Sequence, residues 1–545
     1  MIKGNIDKIN LSSSSFERMI TEGMLYIDKT KLIENFLNNP SDVQLVARQR
    51  RLGKSLNMDM LRCFLTDRED LQHLFKGLYI ESSDVWGEAN SSPVFYFDFK
   101  ELQPDVYREQ IIDKMVDHVC SLIDPENLDF ALKRKFTQII DNPARATDCL
   151  RFLTEVAYKV TGKRSYLLID EYDKLLMDNY SSGMYDDVRS FETALLSAGL
   201  KGNPYLEKAM LTGVMRISHE SMFSGLNNIR TFDVFDDETY VDDYGLTEDE
   251  VVAINSLEAF DIDEVRAWYN GVRIGGKPIY NIYSMMSYLS RKRYGCYWGR
   301  SGTMDIIADL LDDSRRSTLV KLFNNEKVNV PIVNRISLRD LSQQSNDQAF
   351  YSLLVQAGYL AVCTVVSSTD SFASVSIPNM ELQIVWKQFI LEKLYSNAAN
   401  IRTLFDNADN LDIFSKDLEY FLCDRLSYHD LAVISGEDRE RVHERLYHIF
   451  LLGLLSAYDD VHCQYPLSNR ESGDGRYDVL VEKSDANFIF EFKTAKDADS
   501  LTSKAQEALA QIETKRYGAN LNDEKKLFKI GIAFCGKKCR VLCSV

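Results

Sequence analysis

A chain of 545 residues is too long for one hydrophobic core, and length alone predicts about three or four domains. A composition of 45% hydrophobic and 27% charged residues, with only 10 prolines and 26 glycines, excludes a fibrous or largely disordered protein. A net charge of -18 excludes a surface coated throughout with nucleic acid.

The opening MIKGNIDKIN is polar rather than signal-like, and the longest apolar run, Ile449 to Tyr458, is too short to span a bilayer. A cytoplasmic protein with no membrane partner is expected. The ten cysteines are scattered and form no close CxxC pair. Cys535, Cys539 and Cys543 fall in a tail that reads as strand, where steps of four leave neighbours about 13 Å apart. That spacing favours reduced core thiols over a metal site.

In chain order, the first informative stretch is DVQLVA (42–47), an apolar run fit for a buried parallel strand. RQRRLGKSL follows, and then SLNMDMLRCFL, with Leu56, Met60, Leu61 and Phe64 at helical spacing. Strand, loop and helix in that order build a phosphate-binding loop, whose backbone N–H groups and helix N-terminus face an anion. Gly53, Lys54 and Ser55 supply the G-K-[ST] ending: Lys54 is expected to reach the β- and γ-phosphates of ATP, and Ser55 to hold Mg²⁺. The pattern's first glycine is replaced by Arg48.

VFYFDFK (94–100) reads as a second strand, with Asp98 structural. SYLLIDEYDKLL supplies an apolar strand ending in acid. Asp170 at its carboxyl end is expected to contact the Mg²⁺ shell, and Glu171 to polarise water against the γ-phosphate. AMLTGVMRIS (209–218) is a further strand, placing Thr212 and Arg216 where a polar sensor of the γ-phosphate would sit; a surface salt bridge is the competing reading of Arg216.

Glu264 to Leu289 reads as helical with a turn at Tyr269 to Gly271, where Asn270 and Arg273 are better explained by packing or capping than by nucleotide contact. Residues 330–379 give short helices followed by strands, the order of a small winged-helix unit; lacking a basic recognition helix, it is read as structural or protein-contacting. From Met380 to Gly453 the pattern is helical, with Trp386, Phe389, Ile390 and Leu394 in one stripe. His443 and His448, five apart, do not share a helix face for a metal.

The C-terminal part carries the most chemistry. Acidic and basic residues balance from Ala457 to Val545, so the acidity lies in what precedes it. GRYDVLVEKSDANFIFEFK reads as a hairpin with strands at Tyr477 to Glu482 and Asn487 to Lys493. In the second strand Ile489, Glu491 and Lys493 share one face, and Phe488, Phe490 and Phe492 the other. Two charges in so apolar a strand are costly to bury unless something uses them. A metal-dependent phosphodiesterase needs that group: Asp478 and Glu491 to hold Mg²⁺ or Mn²⁺, helped by the Phe492 carbonyl, and Lys493 to position the attacking water and stabilise the developing charge. LTSKAQEALAQIETKRYG forms an amphipathic helix with Lys504, Ala508, Gln511 and Lys515 on one face.

Taken together, YIDKTKLIENFL, RQRRLGKSL, LLIDEYDKLL, LTGVMRISHESMFSGLNN, VRAWYNGVRIGG, LLVQAGYLAV, GRYDVLVE and FIFEFKTAK resemble, in order, bacterial AAA-ATPase-like proteins that carry a C-terminal PD-(D/E)XK nuclease-like domain. The resemblance covers nearly the whole chain. It implies an arginine-rich rim of the form R-x-R-R-x-G-K-S, a lid in the helical stretch after the sheet, and a nucleotide site around Lys54 and Asp170. It further implies that the helix after E-x-K lies beside the metal site, so that Gln511 and Lys515 contact nucleic acid, and that Glu444 adds a metal-shell acid. A solvated helix face is the competing reading of Gln511 and Lys515. The proline of the motif's name is absent: Tyr477 stands there.

The expected architecture is multidomain α/β: a P-loop NTPase parallel sheet with helices, a helical and winged-helix-like middle, and a C-terminal PD-(D/E)XK α/β nuclease-like domain. Segments are expected at 1–235, 236–329 (lid), 330–380, 381–455 and 456–545. The expected function is an ATP-regulated, Mg²⁺-dependent nuclease acting on DNA, in a role such as defence against foreign DNA, with oligomerisation open. The alternative is a nucleotide-binding scaffold that holds nucleic acid or a protein partner without cutting. A DNA-translocating motor is disfavoured, since no helicase pattern is present.

Overall fold

The computed structural model describes residues 2–180, 182–215, 228–235, 239–298, 307, 310, 315, 318–319, 321–322, 326–333, 346–367, 372–386, 405, 408, 410–425, 467–468, 471–472, 475–482, 486–519, 521, 525–536 and 538–545. Two compact units result: residues 1–310 with 321–383, and residues 311–320 with 384–545.

The first unit is built on a five-stranded parallel sheet. Its strands are β1 (Val43–Ala47), β2 (Val94–Asp98), β3 (Ser165–Asp170), β4 (Leu206–Gly213) and β5 (Ile229–Phe232), in the order β2-β3-β4-β1-β5. Every residue of β1 and β3 is buried, which explains their mostly apolar runs: helices cover both faces of a parallel sheet. Helix α1 (Lys54–Leu65) leaves the end of β1 through Gly53, whose φ of 90° is left-handed and costs little only without a Cβ. Since β4 lies between β1 and β3, Thr212 pairs with Val46 on one side while Leu211 pairs with Ile169 on the other. The sheet therefore delivers the loop after β1, the acids after β3 and the end of β4 to one edge. Helix α2 (Tyr185–Leu200) follows the acid strand.

Beyond the sheet the stretch expected as helix and turn is helix, hairpin, helix: α3 (Ile262–Tyr269), β6 (Val272–Ile274), β7 (Lys277–Ile279) and α4 (Ile282–Arg291). Val272 and Ile274 face the core while Gly275 and Gly276 take positive φ, so two apolar residues two apart and a Gly-Gly turn outweigh the helical pattern. Next comes β8 (Val328–Pro331), α5 (Asp347–Gln356), β9 (Ala361–Ser367) and β10 (Phe372–Ser376), with strands ordered β8-β10-β9. A helix followed by an antiparallel hairpin is the order the sequence predicts. ISLRDLSQ, Phe389, Ile390 and Leu394, and the segment with His443, Glu444 and His448, lie outside the described residues.

In the second unit, α6 (Leu411–Arg425) precedes a mixed sheet of β11 (Leu467–Ser468), β12 (Val479–Glu482), β13 (Ala486–Thr494), β14 (Lys526–Cys535) and β15 (Lys538–Ser544), adjacent in that order. The alternation in β13 sorts its two faces as predicted. Phe488, Phe490 and Phe492 join Phe414, Leu418 and Leu422 of α6 in one apolar cluster; Ile489 packs on the other face with Ile512 and Tyr517. Helix α7 (Leu501–Thr514) lies so near β14 that a Cβ on Gly531 would stand 2.5 Å from the Leu509 nitrogen and 2.6 Å from the Ala505 oxygen. The tail is a hairpin rather than one strand: Cys535 ends β14, Gly536 turns the chain at φ 58°, and Cys539 and Cys543 sit on β15. Among the described residues no group of three or more His, Cys, Asp or Glu could hold a metal, and no helix is long and apolar enough to cross a membrane.

Candidate functional sites

At the edge of the parallel sheet, a cavity of about 290 Å³ is lined by Arg51, Gly53, Lys54, Ser55 and Glu171, with Asp243 and Tyr283 among its other walls. Lys54 is buried, and its ammonium donates to the Arg48 and Gln49 carbonyls at 3.1 Å each, with Glu171 Oε1 3.9 Å away. The lysine is thus held by its own loop and by the acid that follows β3, in a position from which an anionic ligand would have to draw it. Glu171 adopts a left-handed φ of 51°, rare for a residue with a Cβ, which turns the chain sharply off the strand end.

Asp170 closes the carboxyl end of β3, where the sequence puts it. It is fully buried and is not part of the cavity wall: Thr212 Oγ1 and the Glu171 N–H, 3.0 Å away, donate to Oδ1, and the Tyr96 hydroxyl, 3.3 Å away, to Oδ2. Two side chains from the flanking strands and one backbone N–H converge on it, so it ties β2, β3 and β4 together. Arg216 lies outside the described residues. Asp98 accepts from the Lys100 N–H at 2.8 Å and caps a short turn, a structural role.

Arg48 is a buried anchor rather than part of an exposed basic rim. Its guanidinium donates to the carbonyls of Ala47 (2.9 Å), Phe232 (3.1 Å) and Tyr240 (3.4 Å) and lies over the Tyr244 ring. Burial brings its pKa down to about 10. Arg51, by contrast, is exposed at the cavity, 4.0 Å from the centre of the Tyr283 ring, and donates to the Tyr297 carbonyl. Neither Asn270 nor Arg273 lines the cavity; Asn379 donates to the Asn270 carbonyl at 2.8 Å, and Arg273 donates to the Gly276 carbonyl at 2.9 Å.

Behind the loop after β3, Asp173 accepts from the N–H groups of Val214 (2.9 Å) and Met215 (2.8 Å), and burial, then Glu171, push its pKa up to about 6. Glu192 of α2 is fully buried, and neither of its carboxyl oxygens has a hydrogen-bond partner among the described residues; burial and then Asp173 raise its pKa well above the ordinary carboxylic value. Sequence pattern gave no sign of Glu192, Asp243 or Tyr283. Their distance along the chain from the loop hides them, although Tyr283 falls in an aromatic-rich stretch.

In the second unit, Val479 pairs with Phe490, which puts Asp478 opposite Glu491 across the hairpin. Asp478 Oδ2 accepts the Phe492 N–H at 2.8 Å. Glu491 is buried, with Lys493 Nζ 3.4 Å from its Oε1 and the Gln511 amide donating to the same oxygen. Burial raises the Asp478 pKa, against the pull of the Phe492 N–H and Lys493. Gln511 also donates to the Tyr517 hydroxyl at 3.3 Å, and that phenol is pushed up by burial and by the charges of Glu491 and Asp478. The structure therefore brings Asp478, Glu491, Lys493 and Gln511 together around Tyr517, which sequence reasoning missed. Lys515 is left out: it caps α7 and is exposed. Gln511 and Lys515 share a helix face, but one turn suffices to separate a residue under the sheet's carboxylates from one beyond them.

Residues 10–223 match the family described as predicted AAA-ATPase, and residues 442–543 match the PD-(D/E)XK nuclease superfamily. The chain pairs an AAA-ATPase-like domain with a PD-(D/E)XK nuclease-like domain. It is 28% identical over 382 residues to an uncharacterized protein in the vnfD 5' region of Azotobacter chroococcum mcd 1, covering 69% of this chain and 68% of that one. Chains in structures of Drosophila ORC with Cdc6, bound to AT-rich or GC-rich DNA, are 12% identical over 68% of this chain and 90% of theirs, at TM-scores of 0.16 and 0.17.

Proposed function

We propose that this AAA-ATPase-like protein is a Mg²⁺- or Mn²⁺-dependent nuclease that cuts DNA under the control of bound ATP. One observation carries the reading: two carboxylates, a lysine and a glutamine from two strands and a helix converge on a single spot of an otherwise apolar sheet. Asp478 and Glu491 are hard oxygen donors of the kind Mg²⁺ and Mn²⁺ take, and the raised pKa of Asp478 is the strain a bound cation relieves, so the residues fit the metal. Bound there, the ion would polarise the phosphate and acidify a water. Lys493 would orient that water and offset charge building on the phosphate oxygens. Gln511, spent on Glu491 and Tyr517, positions the carboxylate instead of reading a strand.

In the first unit Lys54, Ser55, Gly53 and Arg51 would hold the nucleotide phosphates, with Ser55 the hydroxyl available to Mg²⁺ and Glu171 the group facing an attacking water. Asp170 and Thr212 would keep Glu171 in place. Withdrawing Lys54 from the Arg48 and Gln49 carbonyls is the local change nucleotide would make. Control of cutting by nucleotide suits a task in which cleavage must be conditional, such as defence against foreign DNA. Segments ending near residues 235, 329, 380 and 455 are the proposed working divisions.

The test incubates purified protein with plasmid and linear DNA in Mg²⁺ or Mn²⁺, with and without ATP, beside Glu491→Ala and Lys54→Ala. Cutting by the wild type that Glu491→Ala abolishes, and whose ATP response Lys54→Ala removes, supports the proposal. Nucleotide binding without cutting on either substrate would replace it with a scaffold that holds nucleic acid or a protein.

A further inference from the structure

Away from both sites, a pair of thiols joins α6 to the outer strand of the C-terminal sheet. Cys423 Sγ lies 3.5 Å from Cys539 Sγ. Glu419, one turn earlier on α6, clamps the same contact: its carboxylate accepts the Val541 N–H at 3.2 Å and pairs with Arg540 at 3.3 Å, while its carbonyl accepts from Cys539 Sγ at 3.6 Å. Cys539 is buried, whereas Cys423 is only partly so. Neither residue touches the Asp478–Glu491 cluster, which is on the other face of the sheet.

We propose that Cys423 and Cys539 are a reversible redox pair that closes to a disulfide by exchange with a low-molecular-weight disulfide such as oxidised glutathione. The two sulfurs are in contact and need approach by only about 1.5 Å to reach bonding distance. Side-chain rotation supplies that, since Glu419 already fixes the helix against the strand. Contact with Cys539 draws the Cys423 thiol below its usual range, so the more accessible sulfur is the better nucleophile of the two.

In the first exchange, the Cys423 thiolate attacks one sulfur of oxidised glutathione, breaks its S–S bond and expels one glutathione thiolate. Cys539, losing its proton, then attacks Cys423 Sγ in the mixed disulfide and expels the second. Two cysteines are oxidised and one disulfide is reduced to two thiols; the glutathione thiolates take up the proton that Cys539 releases and, from solvent, the one that Cys423 lost on ionising. The cross-link would fasten α6 over the Phe488–Phe490–Phe492 face, on which Phe414 and Leu418 pack. In a reducing compartment such a pair is transient, the behaviour of a sensor and not of a permanent staple.

The full-length protein is equilibrated with reduced and oxidised glutathione at a series of ratios, quenched in acid, alkylated and digested without reduction for mass spectrometry. The expected product is a Cys423–Cys539 cross-linked peptide pair, about 2 Da lighter than its two reduced halves, at least about tenfold above any other cross-link and reversed by dithiothreitol. Cys539→Ser is expected to leave Cys423 as a persistent mixed disulfide with glutathione. Oxidation confined to exposed Cys120, or cross-links spread without preference in the wild type, would overturn the proposal whatever the variants do.

Discussion

Replacing Glu192 by glutamine is expected to stabilise the protein, and to do so in proportion to pH. The carboxyl is fully buried with neither oxygen hydrogen-bonded among the described residues, and its pKa is raised well above its ordinary 4.5. A folded pKa above the unfolded one means that the native state keeps a proton the unfolded chain has released. The group therefore costs nothing below about pH 4.5, and its penalty grows as pH rises towards the folded pKa. The penalty therefore grows with pH for as long as the native state retains the proton. Glutamine has the shape of the protonated acid and does not titrate. Urea unfolding of wild type and Glu192→Gln at pH 5, 6 and 7, followed by circular dichroism, should show the variant's advantage widening as pH rises. An advantage independent of pH, or a variant weaker than wild type at pH 7, would show that Glu192 is ionised and satisfied in the native protein.

Arg48→Ala should lose about 3 kcal/mol or more of stability, leaving the Ala47, Phe232 and Tyr240 carbonyls without their donor, whereas Arg51→Ala should unfold within about 0.5 kcal/mol of wild type yet bind ATP more weakly, as measured by calorimetry. Gln511→Ala should keep the fold and weaken Mg²⁺ or Mn²⁺ binding by about 10- to 100-fold in a metal titration, since it frees Glu491 Oε1 to turn; unchanged affinity would deny the glutamine a positioning role. Gly531→Ala should cost about 1–3 kcal/mol in the second unit's unfolding, because the new methyl meets backbone atoms of α7 that cannot step aside. Chelation by EDTA should stop DNA cutting and Mn²⁺ should restore it; cutting that survives chelation would remove the metal from the account.

What could be read from the sequence was what short-range pattern encodes. Mostly apolar runs marked β1 and β3 because both faces of a parallel sheet are covered, and strict alternation in β13 separated Glu491 and Lys493 from three phenylalanines. Partnership across the chain was not legible. Nothing near Arg48 announces that its guanidinium reaches carbonyls of residues 232 and 240. Asp170 was placed on the right strand end, but the donors that enclose it, Tyr96 and Thr212, come from neighbouring strands whose order only the sheet reveals. The Val272–Ile279 hairpin was lost to the helical pattern on either side, and Tyr517 was hidden because its tie to Gln511 follows from where the chain turns after α7 and not from helical spacing.

The central claim is that the Asp478, Glu491 and Lys493 cluster cuts phosphodiester bonds, and one paired measurement on Lys493→Met tests it most directly. Fluorescence anisotropy in Ca²⁺ measures binding of a labelled duplex, and the same preparations are then assayed for cutting in Mg²⁺ or Mn²⁺ with ATP. The account predicts binding within about twofold of wild type and cutting reduced by at least about 100-fold, since the lysine acts on the water and the developing charge. Wild-type protein that binds the duplex without cutting it, or a Lys493→Met variant that cuts as fast as wild type, would contradict it.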